Sequence, residues 1–261
     1  MNDLVKKFES KDLSDLLIID GHMHVGKPYN FFSSCYSGES LVRSMDLNGI
    51  TAGCISSLHS IGQDAVKGNR EVEKLVIEYK GRFIGQFGIN PNYEKEADQI
   101  LEAVRLNSFF KEAKIHPSLH NYLIDGAVYH KVYDFCSQNE YPILAHTWGM
   151  KDVSEFDKIA GQYPRMKIIL GHSGGEVEAI MAAAVIAAKR DNIFLDLTIS
   201  YNYQGLIEWL VRGVPIHKLL FGTDATYNSQ SAALGKIVYT EIDDEKKVRI
   251  LGLNMKELLN L

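Results

Sequence analysis

The feature that most limits the fold is a rhythm. Eight short apolar runs stand at 16–20, 51–58, 83–90, 110–116, 142–147, 167–172, 193–198 and 218–224. Each leads into a polar turn and then an amphipathic stretch. The runs are mostly continuous rather than alternating, the pattern of parallel strands covered on both faces. In the stretches between them apolar residues recur at spacings of three and four: Val72, Leu75, Val76 and Tyr79; Ala97, Ile100, Leu101 and Val104; Val128, Val132, Phe135 and Cys136. Segments 176–189 and 204–211 continue the series, and each stripe faces a sheet. The tail, 243–261, reads as helix with Asn254 as N-cap of its last turns. Eight βα units in order predict an α/β fold, a single-domain (β/α)8 TIM barrel over residues 1–261. An open doubly wound sheet is the alternative, but the first βα turn, DGHMHVG, lacks the phosphate-binding glycine pattern.

Composition excludes several classes. The formal charge is -5 with no basic run, so the footprint of a nucleic-acid binder is missing. Cys35, Cys54 and Cys136 are far apart and form no CxxC pair, which argues against a disulfide framework or thiolate zinc site and suits a reducing compartment. All three read as small buried apolar residues. The N-terminus has no apolar run of signal-peptide length. The longest apolar run, 179–188, is too short to span a bilayer and reads as a buried helix. A cytoplasmic protein acting on a small molecule is the expectation, with no nucleic-acid or membrane partner.

The chemistry sits at the strand ends. Asp20-Gly21-His22-Met23-His24 closes the first strand, His146 the fifth, His172 the sixth and Asp224 the eighth. These are the C-terminal ends, where barrel enzymes keep their active sites. Residues two apart on a strand point the same way, so His22 and His24 reach one metal together. His146 and Asp224 complete a mixed nitrogen and oxygen shell suited to zinc, and also to iron, manganese or nickel. A lone histidine at a strand end is usually a turn residue, and HxH alone is a weak motif. The weight rests on the combination.

On DGHMH (20–24), AKIHP (113–117), AHT (145–147), GHSGG (171–175), FGTD (221–224) and LGLNMKELL (251–259), the chain resembles the amidohydrolase superfamily along nearly its whole length. The nearest branch is the amidohydrolase-related group of metal-dependent hydrolases and non-oxidative decarboxylases. The resemblance implies His22, His24, His146 and Asp224 as metal ligands. It implies His172 as a second-metal ligand or an acid/base and substrate-orienting group. Lys114 on the fourth strand is either carboxylated and bridging two metals or a pocket cation for a substrate oxygen. The branch favours one metal per chain, and a homodimer is its default. TatD-type deoxyribonucleases usually carry a glutamate where Lys114 and His116 stand here.

Other residues carry two readings each. His116 contacts substrate or lines the mouth, and His59 has the same choice, tilted to packing. His120, His130 and His217 read as non-functional. Trp148 and Tyr201 wall a pocket or pack between loops. Segment 25–40, with Phe31 and Phe32, suits a mobile loop over the mouth. The GHSGG amides bind an anion, or its glycines only permit a tight turn.

The expected function is a metal-dependent hydrolase of a small amide, lactone or ester. Metal-activated water is the nucleophile, Asp224 carries the proton, and His172 stabilises the oxyanion. A decarboxylase of an unsaturated or aromatic acid at the same metal ranks second, because no arginine falls at a strand end. A non-catalytic metal-binding barrel ranks third.

Overall fold

A computed structural model describes residues 3–29, 32–199 and 203–261. The strands are β1 (Ile19–Val25), β2 (Ala52–Ser57), β3 (Phe83–Gly88), β4 (Phe110–Ile115), β5 (Ile143–His146), β6 (Ile168–Gly171), β7 (Ile193–Asp196) and β8 (Leu219–Leu220). They pair in parallel in chain order. The helices are α1 (Asp3–Glu9), α2 (Gly38–Leu47), α3 (Ala65–Glu78), α4 (Glu94–Arg105), α5 (Pro117–His120), α6 (Ala127–Asn139), α7 (Gly149–Gln162), α8 (Val177–Lys189), α9 (Leu206–Gly213), α10 (Gln230–Val238), α11 (Asp244–Val248) and α12 (Asn254–Leu258). This is the (β/α)8 barrel that the rhythm predicts. Its last seam, between β1 and the chain after β8, is held by Gly21 N donating to Phe221 O at 2.9 Å and Asp224 N to His22 O at 2.7 Å.

Two differences from the sequence reading have physical causes. The first strand runs over Ile19–Val25 rather than 16–20, and all seven residues are buried. His22 and His24 look like turn residues because they are polar, but the barrel interior they face is a cavity rather than apolar packing. In the tail, Asn254 is not an N-cap. It lies at φ -63 and ψ -43, inside continuous helical backbone that a wide turn at Arg249–Leu253 joins to α11. Its Nδ2 donates to Ile216 O at 2.7 Å and Leu219 O at 2.8 Å, fastening the tail beneath β8. Helix α7 escaped the periodicity reading, although Val153, Phe156, Ile159 and Ala160 keep helical spacing. The apolar run in α8 buries one face only, since Met181 and Val185 are half exposed.

The core has two parts. Between sheet and helices lies the larger cluster, built on the outward faces of the strands. Inside the barrel, Ile19, Cys54, Leu144, Ile169, Phe194 and Leu220 pack on Met255, Leu258 and Leu259 of the tail. Six strands thus give one residue each to a floor that the tail plugs, at about 1.5–3 kcal/mol per large apolar side chain buried. Gly21 permits it: a Cβ there would stand 2.2 Å from Met255 Cε. Cys54 and Cys136 are buried and unpaired, and Cys35 is half buried. Among the described residues no helix is long and apolar enough to cross a membrane.

Candidate metal centre and active-site cavity

Above the floor the interior changes character. His22 and His24, two apart on β1, aim their rings into it and lie 5.1 Å apart, edge to face. Each is held from behind at Nδ1. His22 Nδ1 meets Asp196 Oδ2 at 2.7 Å, and His24 Nδ1 meets Ser56 Oγ at 2.9 Å. That leaves both Nε2 atoms facing Asp224 Oδ1, at 3.7 Å from His22 and 3.2 Å from His24. Outer partners that fix ring orientation are what metal-binding imidazoles require. One ligand atom from each of His22, His24 and Asp224 lies within 4.8 Å of the other two, and the same holds for His22, His172 and Asp196.

The protonation states suit the same end. Burial, then the nearby Lys114 charge, lowers the His22 pKa to about 3. Burial also lowers His24, and it holds His146 and His116 well below the usual value. Neutral imidazole is the ligand form. Burial alone would raise Asp224, but the His24 hydrogen bond and the neighbouring imidazoles outweigh it and keep the carboxylate ionised. Asp196 is held down in the same way by His22.

The segment carrying Asp224 is fixed from β1. Asp20 is fully buried and accepts Thr223 N at 3.0 Å, Thr223 Oγ1 at 2.6 Å, His22 N at 3.2 Å and Gln230 Nε2 at 3.2 Å. Burial raises its pKa to about 7. Asp224, His172 and Ser173 have φ of 58, 59 and 51, the left-handed region. Such non-glycine residues cost about 1–3 kcal/mol each and gather at functional sites. Gly222 lets this segment approach the pair behind it, since a Cβ there would lie 2.4 Å from Asp196 Oδ1 and 2.9 Å from His22 Cβ.

Other predicted residues fall around this centre. Lys114 is buried on β4, with Nζ 2.7 Å from His22 Nε2, and burial lowers its pKa to about 8. His172 stands 5.1 Å from His22 and 4.9 Å from His146, ring to ring, with Nδ1 3.1 Å from Thr198 O. His146 stacks on His116 at 3.8 Å and lies outside both compact donor groups. His116 Nδ1 accepts Leu119 N, capping α5, while its ring lines the cavity. Trp148 lies against His146 and His172, outside the cavity lining. Phe32 is exposed, and Phe31 and Tyr201 lie outside the described residues. The GHSGG glycines serve the turn: His172 N donates to Asp196 Oδ2, Gly175 N to His172 O and Glu176 N to Gly174 O, so these amides are committed.

Above the centre lies a cavity of about 760 Å³, lined by His24, Lys114, His116, His146, His172 and Asp224 at depth and by Lys27, Tyr29, His59, Tyr93 and Tyr227 farther out. Sequence reasoning missed Asp196, Ser56, Thr198 and Tyr227. Asp196 had a signal, since it ends its strand as His146 ends β5. Ser56 and Tyr227 had none, because their roles depend on contacts with His24 from the neighbouring strand β2 and from the chain after β8.

Fold and site together define a barrel enzyme class, and comparison with known proteins gives it a family. A family model described as Amidohydrolase matches residues 60–261, most of the chain. The chain belongs to this amidohydrolase family. His22 and His24 precede the matched stretch. No curated protein matches the sequence. Solved structures share the fold. A 5-carboxyvanillate decarboxylase from Novosphingobium aromaticivorans, complexed with manganese and a nitrobenzoic acid, has a TM-score of 0.76 at 11% identity over 95% of this chain and 97% of that one. A 2,6-dihydroxybenzoate decarboxylase from Rhizobium has 0.75 at 13% over 94% and 99%. A probable 2-pyrone-4,6-dicarboxylic acid hydrolase from Acinetobacter baumannii has 0.71 at 13% over 94% and 100%.

Proposed function

We propose that this chain is a metal-dependent hydrolase of a small, flat, carboxylate-bearing substrate such as a ring lactone. One observation carries the reading: two neutral imidazoles and an ionised carboxylate converge at the bottom of a cavity, each imidazole fixed from behind. That donor set fits a divalent ion, with His22, His24 and Asp224 to hold it and His146 or His172 to complete the shell. It suits zinc, our expectation, and equally manganese, the ion in the N. aromaticivorans decarboxylase. One ion per chain follows, because His22 is common to both donor groups and Asp196 is spent on orienting His22. When bound, the ion supplies Lewis acidity that lowers the pKa of water and polarises a carbonyl.

The chain's own groups do the rest. Lys114 is the cation at depth for a substrate oxygen. Its hydrogen bond to His22 Nε2 uses that nitrogen's single lone pair, so with His22 holding an ion the Lys114 ammonium would be free for a substrate oxygen. Among the described residues Asp224 Oδ2 is held only by Asn228 Nδ2 at 3.4 Å, which leaves it to shuttle a proton. His172, anchored through Nδ1, is the second proton carrier. The stacked His116 and His146 rings, with Tyr93 and Tyr227, offer flat walls to a ring.

Decarboxylation of an aromatic acid is the second reading, favoured by full-length likeness to decarboxylases. Turnover of ring lactone acids and hydroxybenzoates in 18O-labelled water separates the two. Hydrolysis puts one labelled oxygen in the ring-opened acid. Carbon dioxide with a solvent proton on carbon selects decarboxylation, and no turnover by metal-loaded protein sinks both.

A further inference from the structure

The outer wall of the cavity carries a constructed pair that the chemistry above does not use. His59 follows β2 and lines the cavity. Its Nδ1 lies 2.9 Å from Glu71 Oε2 on α3. A carboxylate only accepts, so this nitrogen carries the proton. The same oxygen accepts Ser57 Oγ at 2.7 Å, and Ser57 Oγ in turn accepts His59 N at 3.0 Å. The loop closes on itself and fixes the ring. Nε2 is left over, bonded to nothing among the described residues, and it donates to an anion when it too carries a proton, as an imidazolium held between two carboxylates.

Stability does not account for this pair. His59 and Glu71 are each about a third exposed, and such ion pairs contribute about 0–1 kcal/mol. Nearby polar groups on the wall are spent on the fold: Asn90 bonds Gly62 O, Asn92 bonds Asn90 and His120 O, and His120 uses both ring nitrogens. Lys27, on the same lining, has no carboxylate partner among the described residues. Lys27 and the oriented His59 ring face one space, with Gln63, Tyr29 and Tyr93 on the same lining.

We propose that His59, positioned by Glu71, forms with Lys27 an outer anion subsite, so that the substrate is a small diacid. One carboxylate goes inward to Lys114, the other outward to His59. This rests on the cavity being the active site, and the test separates the two claims. Calorimetric titration of the metal-loaded full chain compares benzene-1,3-dicarboxylate with benzoate. The diacid binds at least about tenfold tighter, the worth of one charge-assisted hydrogen bond. In His59→Gln the ratio of the two affinities falls toward one. Glu71→Gln, which keeps the imidazole, lowers the ratio part of the way. A wild-type ratio near one, or a ratio that both variants leave unchanged, overturns the subsite while benzoate binding keeps the active-site reading. Failure of both acids to bind overturns that reading and the diacid with it.

Discussion

On the barrel floor Cys54, Leu144, Ile169, Phe194 and Leu220 pack against the tail. Two residues further along the same strands and their extensions stand Ser56, His146, Gly171, Asp196 and Gly222. A strand's side chains repeat every second residue, so each pair shares a face and differs by one layer. The lower layer buries apolar area and stabilises. The upper layer buries imidazoles, carboxylates and a lysine, and holds three left-handed residues, all at a cost. The division is sharp because the tail plugs one end while the other opens into the cavity. Stability and chemistry are therefore separable by a step of two residues.

The largest effect expected is in the upper layer. Asp224→Asn lowers kcat/KM by about a thousandfold, about 4 kcal/mol, with little change in the denaturation midpoint. Steady-state kinetics beside urea unfolding reads both, and equal losses of stability and rate would erase the distinction between layers. Next comes the floor: Leu144→Ala costs about 2–5 kcal/mol in unfolding free energy, and kcat/KM stays within a few-fold of wild type. Third is the outer support of the ligands. Asp196→Asn weakens metal binding about 10–100-fold by loosening His22, as a chelator competition would register.

The smallest lies between the layers. Glu112 is fully buried and, among the described residues, its carboxyl is bonded only by Gln86 Nε2 at 2.6 Å, and burial raises its pKa to about 8 from 4.5. Across that window the unfolded chain has lost a proton that the native chain keeps, so this group's contribution falls as pH rises. Glu112→Gln removes the term. Its stability relative to wild type climbs from pH 4.5 to 8 and is flat below, and a constant difference across unfolding curves would reject the assignment.

Much of this was legible in the sequence. The eight runs give the barrel because both faces of a parallel strand are covered and so read as unbroken apolar stretches. His22-x-His24, near the end of β1, and Asp224, in the segment after a β8 that stops at Leu220 rather than running over 218–224, are legible because both lie on the side where strands end and a barrel keeps its mouth. The first strand was misplaced because its histidines face a cavity, which a polarity pattern reads as a turn. Asn254 misled for a related reason: a polar residue in a helical stretch looks like a cap, and only the carbonyls of Ile216 and Leu219 explain it. Asp196, Ser56 and Glu71 act through partners distant in sequence, on which local spacing is silent.

The central claim is that His22, His24 and Asp224 hold one divalent ion. Elemental analysis of untagged protein, purified without chelator and offered zinc and manganese, tests it most directly. The account predicts about one ion per chain in the wild type and almost none in a His24→Ala, Asp224→Ala double variant that still folds. A wild type that takes up neither metal, or a double variant that keeps its ion, would contradict it.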